Sequence, residues 1–294
     1  MRLARCFQWI ASLLVGAAPF VASAQAPALR AGQGHYNLIQ ANDGKAVGTA
    51  EYTVQVLPNG YQVTSQAETK IAKLSYSFNN VNRLDTQLNI VRDQLSGTVN
   101  GAQVTFDLSS DATGRQFQVN IAAQGKNTTN TFDRHLHTVL LPDLDPAAYV
   151  EMTHFALAHP PTSWIVIPKE NGILVPAEYT MRSDERGTLH GQSLVVHHTS
   201  VIVSEQNGFS VELYFTAEGQ LVEADLPEQN FYVIEDGFKL NNRPHYAPPR
   251  GSAPPPNQPG QPPYPGQNPS QNPGQAPPPQ YPAPQGGYPP IQPQ

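Results

Sequence analysis

Cysteine is all but missing from this 294-residue chain, and the single one, Cys6, precedes an apolar run near the start. A chain from which that leading segment is removed has no thiol, so it can form no disulfide, cysteine-zinc site or thiol nucleophile, and its fold must be held by its own core. A lipoprotein leader is excluded as well, because its lipidated cysteine would directly follow the apolar run. Long apolar segments are equally scarce. "FQWIASLLVGAAPFV", residues 7–21, is shorter than the ~20 residues that a membrane-spanning helix needs. Positive charge is short too: the chain stands at −6, and at −8 without Arg2 and Arg5. There is no basic footprint to displace counterions from phosphates, which excludes nucleic acid as a partner. Catalytic motifs are also missing, since no G-x-S-x-G, H-E-x-x-H or G-x-x-x-x-G-K-[ST] occurs.

The first 24 residues carry two arginines, the short apolar run and "ASA" before Gln25. Together these predict an export signal over 1–24, cleaved after Ala24; the alternative is an uncleaved anchor. The expected location is outside the cytoplasm, periplasmic or extracellular, with no membrane-spanning segment. At the other end, 20 of the 30 prolines lie from Pro244 onward, and from Gly251 there is no charged residue or histidine. Residues 244–294 therefore predict a disordered Pro/Gln/Gly-rich tail with polyproline character, since they have little apolar area to offset the entropy of ordering. It serves either as a spacer or as an arm whose Pro-Tyr elements meet an envelope polymer or protein.

Between them, residues 31–243 predict one mainly β domain, a curved antiparallel sheet forming a half-barrel or open barrel. Alternating apolar strands are separated by turn residues, as in "EYTVQVLPNGYQVTS" and "LSGTVNGAQVTFDLSS". A two-residue loop at Asn100-Gly101 sets Val99 opposite Ala102, Gly97 opposite Val104 and Leu95 opposite Phe106, placing the apolar residues on one face. Asn59-Gly60, taken likewise, pairs Val56 with Val63 and Tyr52 with Ala67. Glu218-Gly219 pairs Phe215 with Val222, Leu213 with Ala224 and Val211 with Leu226. Glu212, Glu223 and Asp225 then share the opposite face, where like charges across strands favour a solvated surface over a buried acid pair. A glycosidase-like carboxylate pair is the sharper alternative.

One helix is predicted in "LPDLDPAAYVEMTHFALAHPPT", capped by Asp145, opened by Pro146 and stopped by Pro160-Pro161. Its stripe of Ala148, Tyr149, Met152, Phe155 and Ala156 either packs on the sheet or serves as a lid. His135 and His137 share one side of a strand, while His197 and His198 point to opposite sides. Three could converge on a metal, but spacing alone makes strand decoration the simpler reading, and neither a metal nor a cofactor is expected.

The hairpin at 211–226 followed by "LPEQNFYVIEDGFKL", together with "GTAEYTVQVLPNGYQVTSQAETKIAKLSYSF", resembles uncharacterised exported bacterial proteins related to the periplasmic lipoprotein-carrier half-barrels. The resemblance is a pattern of strands over much of 35–236. It implies a curved sheet whose concave face is filled by a helix or holds an apolar ligand, and it assigns no functional residue. The expected function is non-catalytic: carrying or binding a hydrophobic envelope molecule, a lipid or lipoprotein acyl chain, with Val211, Leu213, Phe215, Val222 and Ala224 as candidate lining residues. A structural or interaction protein of the envelope, using the tail, is the alternative.

Overall fold

The computed structural model describes residues 28–71, 74–160, 162–168, 172–204 and 208–244. The predicted signal and nearly all of the predicted tail lie outside the described residues. The first half is a meander of eight strands: β1 (Gly32–Gln40), β2 (Lys45–Leu57), β3 (Gly60–Ile71), β4 (Leu74–Leu84), β5 (Ile90–Val99), β6 (Ala102–Ser110), β7 (Gln116–Ala123) and β8 (Lys126–Asp133). There follow β9 (Thr138–Leu140), the helix α1 (Pro146–Ala158) and β10 (Ser163–Ile167). The chain then runs through β11 (Ile173–Met181), β12 (Glu185–Leu189), β13 (Gln192–Val203), β14 (Phe209–Phe215), β15 (Leu221–Leu226), β16 (Phe231–Glu235) and β17 (Phe238–Leu240).

β1 joins the two halves by pairing with β2 on one side and β16 on the other. From there the sheet runs outward to β8 in one direction and, through β15, β14, β13, β11 and β10, to β9 in the other. The sheet stays open, and all pairs are antiparallel but one. That exception is β9 with β10, which are parallel because α1 crosses between them. The helix touches β2 and β3 from one half and β9, β14 and β15 from the other, so the sheet curves round it.

α1 forms where the sequence signals place it. Asp145 accepts a hydrogen bond from the Ala147 amide at 2.9 Å and Pro146 opens the first turn. His159 closes the last turn with φ 47°, its amide donating to the Phe155 carbonyl at 3.0 Å. Every residue from Pro146 to Ala156 is buried, not only the expected stripe. Tyr149, Met152 and Phe155 lose essentially all exposure, worth about 1.5–3 kcal/mol each in transfer energy. The helix is therefore packed into the concave face as part of the main core.

The hairpins show where turn chemistry dictates register. Asn100-Gly101 gives the expected pairs, both residues having positive φ. At Asn59-Gly60 the loop is Pro58-Asn59 instead, because proline's fixed φ suits the first corner of a turn. Val63 thus faces Val54 and Ala67 faces Ala50, a slide that keeps the same faces. At Glu218-Gly219 only Gly219 has positive φ, so a two-residue type I′ loop cannot form. The turn runs instead from Thr216 to Gln220, and a bulge puts Phe215 opposite Leu221. Val222 consequently turns to the other face.

β12 and β17 extend from β13 as a flap over the outer face of β14, β15 and β16. They enclose a second, smaller cluster containing Val196, Tyr214, Val222, Tyr232, Phe238 and Leu240.

Two strand glycines are required by neighbouring backbone. A Cβ at Gly48 would collide with the Glu68 carbonyl oxygen, and one at Gly97 with that of Ser77. Gly97→Ala should lower stability by about 1–3 kcal/mol in urea melts. Gly101→Ala, at φ 81° with open space around it, should lose only the ~1 kcal/mol of its backbone conformation.

Candidate functional site

Four of the five candidate lining residues, Val211, Leu213, Phe215 and Ala224, stand at 0% exposure in the main core. Val222 is equally buried but lies in the outer cluster, because the bulge at Phe215 reverses its side. The concave face is thus a packed wall against α1. A mainly apolar cleft of about 130 Å³ lies at its margin, lined by Tyr76 and Phe78 of β4, Leu95 of β5, Val104 of β6, Leu141 and Ile167, with Thr98 and Asp143 as its polar members. Leu141 precedes the helix, so the cleft adjoins the start of α1. A larger hollow, of about 570 Å³, is on the outer face and presents polar groups such as His35, Glu51, Gln66 and Asn79.

Beneath α1 lies a polar layer. Asn80 and Asn82 project inward from β4, where the amide of Asn80 donates to Asp145 at 3.1 Å and that of Asn82 to Glu151 at 2.7 Å. Asp93 of β5 is fully buried, with the Asn80 side chain as the neighbour that favours its charged form. Burial is the main cause raising all three carboxyls. Asp93 is pushed well above its ordinary value, with the charges of Glu151 and Asp145 adding to the rise. Glu151 is pushed up to about 8, burial outweighing the hydrogen bond from Asn82. Glu151 also bears on the buried phenol of Tyr179 in β11. Sequence reasoning named Asp145 only as the helix cap and passed over Asn80, Asn82, Asp93 and Glu151. The signal available was a pair of asparagines at alternate positions after Phe78, and one glutamate inside an apolar helix.

The outer-face acids correct the expectation of a solvated surface. Glu212 does sit opposite Asp225, as the register predicts, yet Glu223 and Asp225 are 0% exposed. Arg243 grips Glu223 with two hydrogen bonds, from Nε at 2.6 Å and Nη2 at 2.7 Å, while its guanidinium lies over Tyr232. Glu212 receives Ser200 Oγ at 2.8 Å and has His198 Nε2 at 2.9 Å. Burial pushes its carboxyl up, but His198, Ser200 and Arg182 outweigh this and hold it below its ordinary value. These acids do not form a wet face: Glu223 and Asp225 are fully buried, and the oxygens of Glu212 and Glu223 are held by Ser200, His198 and Arg243. Alternation could not reveal this, since the covering flap and Arg243 come from distant segments.

The four histidines go separate ways. His135 stacks on Trp164 at 3.8 Å and His137 meets the Phe155 ring edge-on. His197 pairs with Asp184 at 2.9 Å and His198 with Glu212. Among the described residues no group of three His, Cys, Asp or Glu side chains is placed to hold a metal ion, and no helix is long and apolar enough to cross a membrane.

The buried acids reverse the usual pH dependence. In the unfolded chain Glu151 titrates near 4.5, whereas in the folded protein it keeps its proton to about 8. Its contribution is therefore complete below pH 4.5 and lost as pH rises through 8, at up to about 1.4 kcal/mol per pH unit inside that window. Urea melts at pH 5, 7 and 9 should show falling stability, and Glu151→Gln should flatten the slope. Arg243 generates a second prediction. A chain ending at Asn242 should be less stable than one ending at Pro244 by about 2–4 kcal/mol, because Glu223 would remain buried without its cation; paired thermal melts measure the difference.

No family model matches the chain, and no curated protein matches it. Among solved structures, the chain is similar to a DUF1089 family protein from Pseudomonas aeruginosa at 13% identity and a TM-score of 0.38, covering 60% of this chain and 89% of that one. It is also similar to a candidate exported protein with a YmcC-like fold from Bacteroides fragilis, at 8% identity and a TM-score of 0.28, covering 72% of this chain and 97% of that one.

Proposed function

We propose that the domain is an exported, non-catalytic binding module for a hydrophobic envelope molecule, a lipid or lipoprotein acyl chain, as in the periplasmic carriers its strand pattern resembles. The observation that supports this reading is the apolar cleft of about 130 Å³ between β4–β6 and the segments flanking α1. Apolar clefts with few polar groups suit acyl chains, whose transfer from water is worth about 0.8 kcal/mol per buried methylene. In the same reading α1 is the cover of a larger site. Val211, Leu213, Phe215 and Ala224 would line it once the helix lifts, while Val222 would stay in the outer cluster. The full burial of α1 favours the second reading, a structural or interaction protein of the envelope, in which the interior never opens.

The test is binding of a fluorescent fatty acyl probe to mature protein freed of co-purified lipid. Saturable binding is expected. Val104→Glu, at a half-buried position on the cleft, should weaken binding at least about tenfold, or 1.4 kcal/mol, without loss of fold. No binding by folded wild-type protein would overturn the carrier reading in favour of the structural one. Undiminished binding by a folded Val104→Glu variant would remove the cleft as the site.

A further inference from the structure

The cleft between β4–β6 and the segments flanking α1 is apolar along its walls but not at its opening. Asp143, two residues before the helix cap, lines the cleft and is exposed, so its carboxylate stands where the cleft meets water. Gln229 Nε2 donates to its Oδ1 at 3.1 Å and holds the side chain in place. The half-buried phenol of Tyr76 lies in the field of that carboxylate. Burial first, and then the charges of Asp143 and Asp145, push it well above its ordinary value, so it stays a neutral hydroxyl. Among the described residues that line the cleft there is no lysine, arginine or histidine. The N-terminus of α1 would attract an anion, but it is closed to a ligand. Asp145 already accepts from the Ala147 amide, and Asp145, Ala147 and Ala148 are all buried.

We propose that the cleft takes an aliphatic chain whose polar end is an ammonium group, in preference to a chain that ends in a carboxylate or phosphate. The inference rests on the carrier reading and adds the class of head group to it. A chain laid between Phe78, Leu95, Val104 and Ile167 leaves its polar end at the opening, beside Asp143. An ammonium there gains an opposite charge, and its three donors meet two kinds of acceptor, the carboxylate of Asp143 and the phenol oxygen of Tyr76. An anionic end would face Asp143 with no cation among the described lining residues to offset it. Exposed charges interact weakly, so the selectivity is a preference of several-fold and not an all-or-none choice.

Calorimetric titration of the mature chain, freed of co-purified lipid, with decylamine, decanol and decanoate at pH 7 reads that preference. Affinity should fall in that order. Decylamine should bind at least about fivefold more tightly than decanoate, the scale of one exposed pair gained against one like-charge contact made. The net negative charge of the chain favours amines at every surface, so the deciding measurement is Asp143→Lys, which should reverse the order. Equal affinities, a preference for decanoate, or an ammonium preference that survives Asp143→Lys would overturn the proposal and leave the carrier reading standing. Binding of none of the three by folded protein would overturn both. Thermal melts confirm that the variant is folded; if it is not, Asp143→Asn decides, and should bring the affinities for decylamine and decanoate within about twofold of each other.

Discussion

The concave face of a long open sheet must be dried, and among the described residues a single 13-residue helix is present to do it. Most of the interior follows from that constraint. Because the sheet curves round α1, the helix meets side chains on nearly every side, and an amphipathic stripe of ordinary width would leave polar residues facing the wall. The chain answers with a helix that is apolar nearly all round, mixing small residues, Ala147, Ala148 and Ala156, with large ones, Tyr149, Met152 and Phe155, all of them buried. The parallel pairing of β9 and β10 makes α1 a crossover that leaves at the end of β9 and returns to the start of β10. Its polar residues, Glu151, Thr153 and His154, are consequently buried and must find partners or stay neutral.

The outer face solves a different problem. A sheet whose helix lies on one side exposes the other to water, and for most of β2 to β8 that side shows the expected alternation of buried and exposed positions. Under β12 and β17 the alternation fails, and β15 is buried at all six positions. A strand covered on both faces needs its charges neutralised, which Arg243 does for Glu223 through a bidentate contact. The segment that leaves the last strand is thereby part of the fold up to Pro244.

How far the sequence was legible depended on the range of the interaction that decides each feature. The strand-rich class, the helix with its Asp145 cap and the Asn100-Gly101 register rest on neighbouring residues, and each could be read. Registers at Pro58 and Gly219 needed finer turn chemistry: a proline corner in one case, and a Glu218 without positive φ in the other. The standing of Glu223 and Val222 was beyond reach, because it depends on a bulge and on a flap contributed by residues 185–189 and 238–243. The inward asparagines of β4 were visible as residues, but a polar pair on an inward face gains meaning only once Asp145 and Glu151 are known to lie above it.

That polar layer also bears on whether α1 can act as a cover. An apolar helix in this seat would lose about 25 cal/mol for each Å² exposed on lifting, with nothing returned. α1 carries Glu151 and its cap Asp145 and faces Asp93, three carboxyls stripped of water by burial. Lifting the helix restores their hydration, and ionisation then becomes favourable, so opening costs less than the buried area implies and less again as pH rises. Asp145 has a structural use as the helix cap, whereas Asp93 and Glu151 could be replaced by apolar residues of similar volume with little loss of stability.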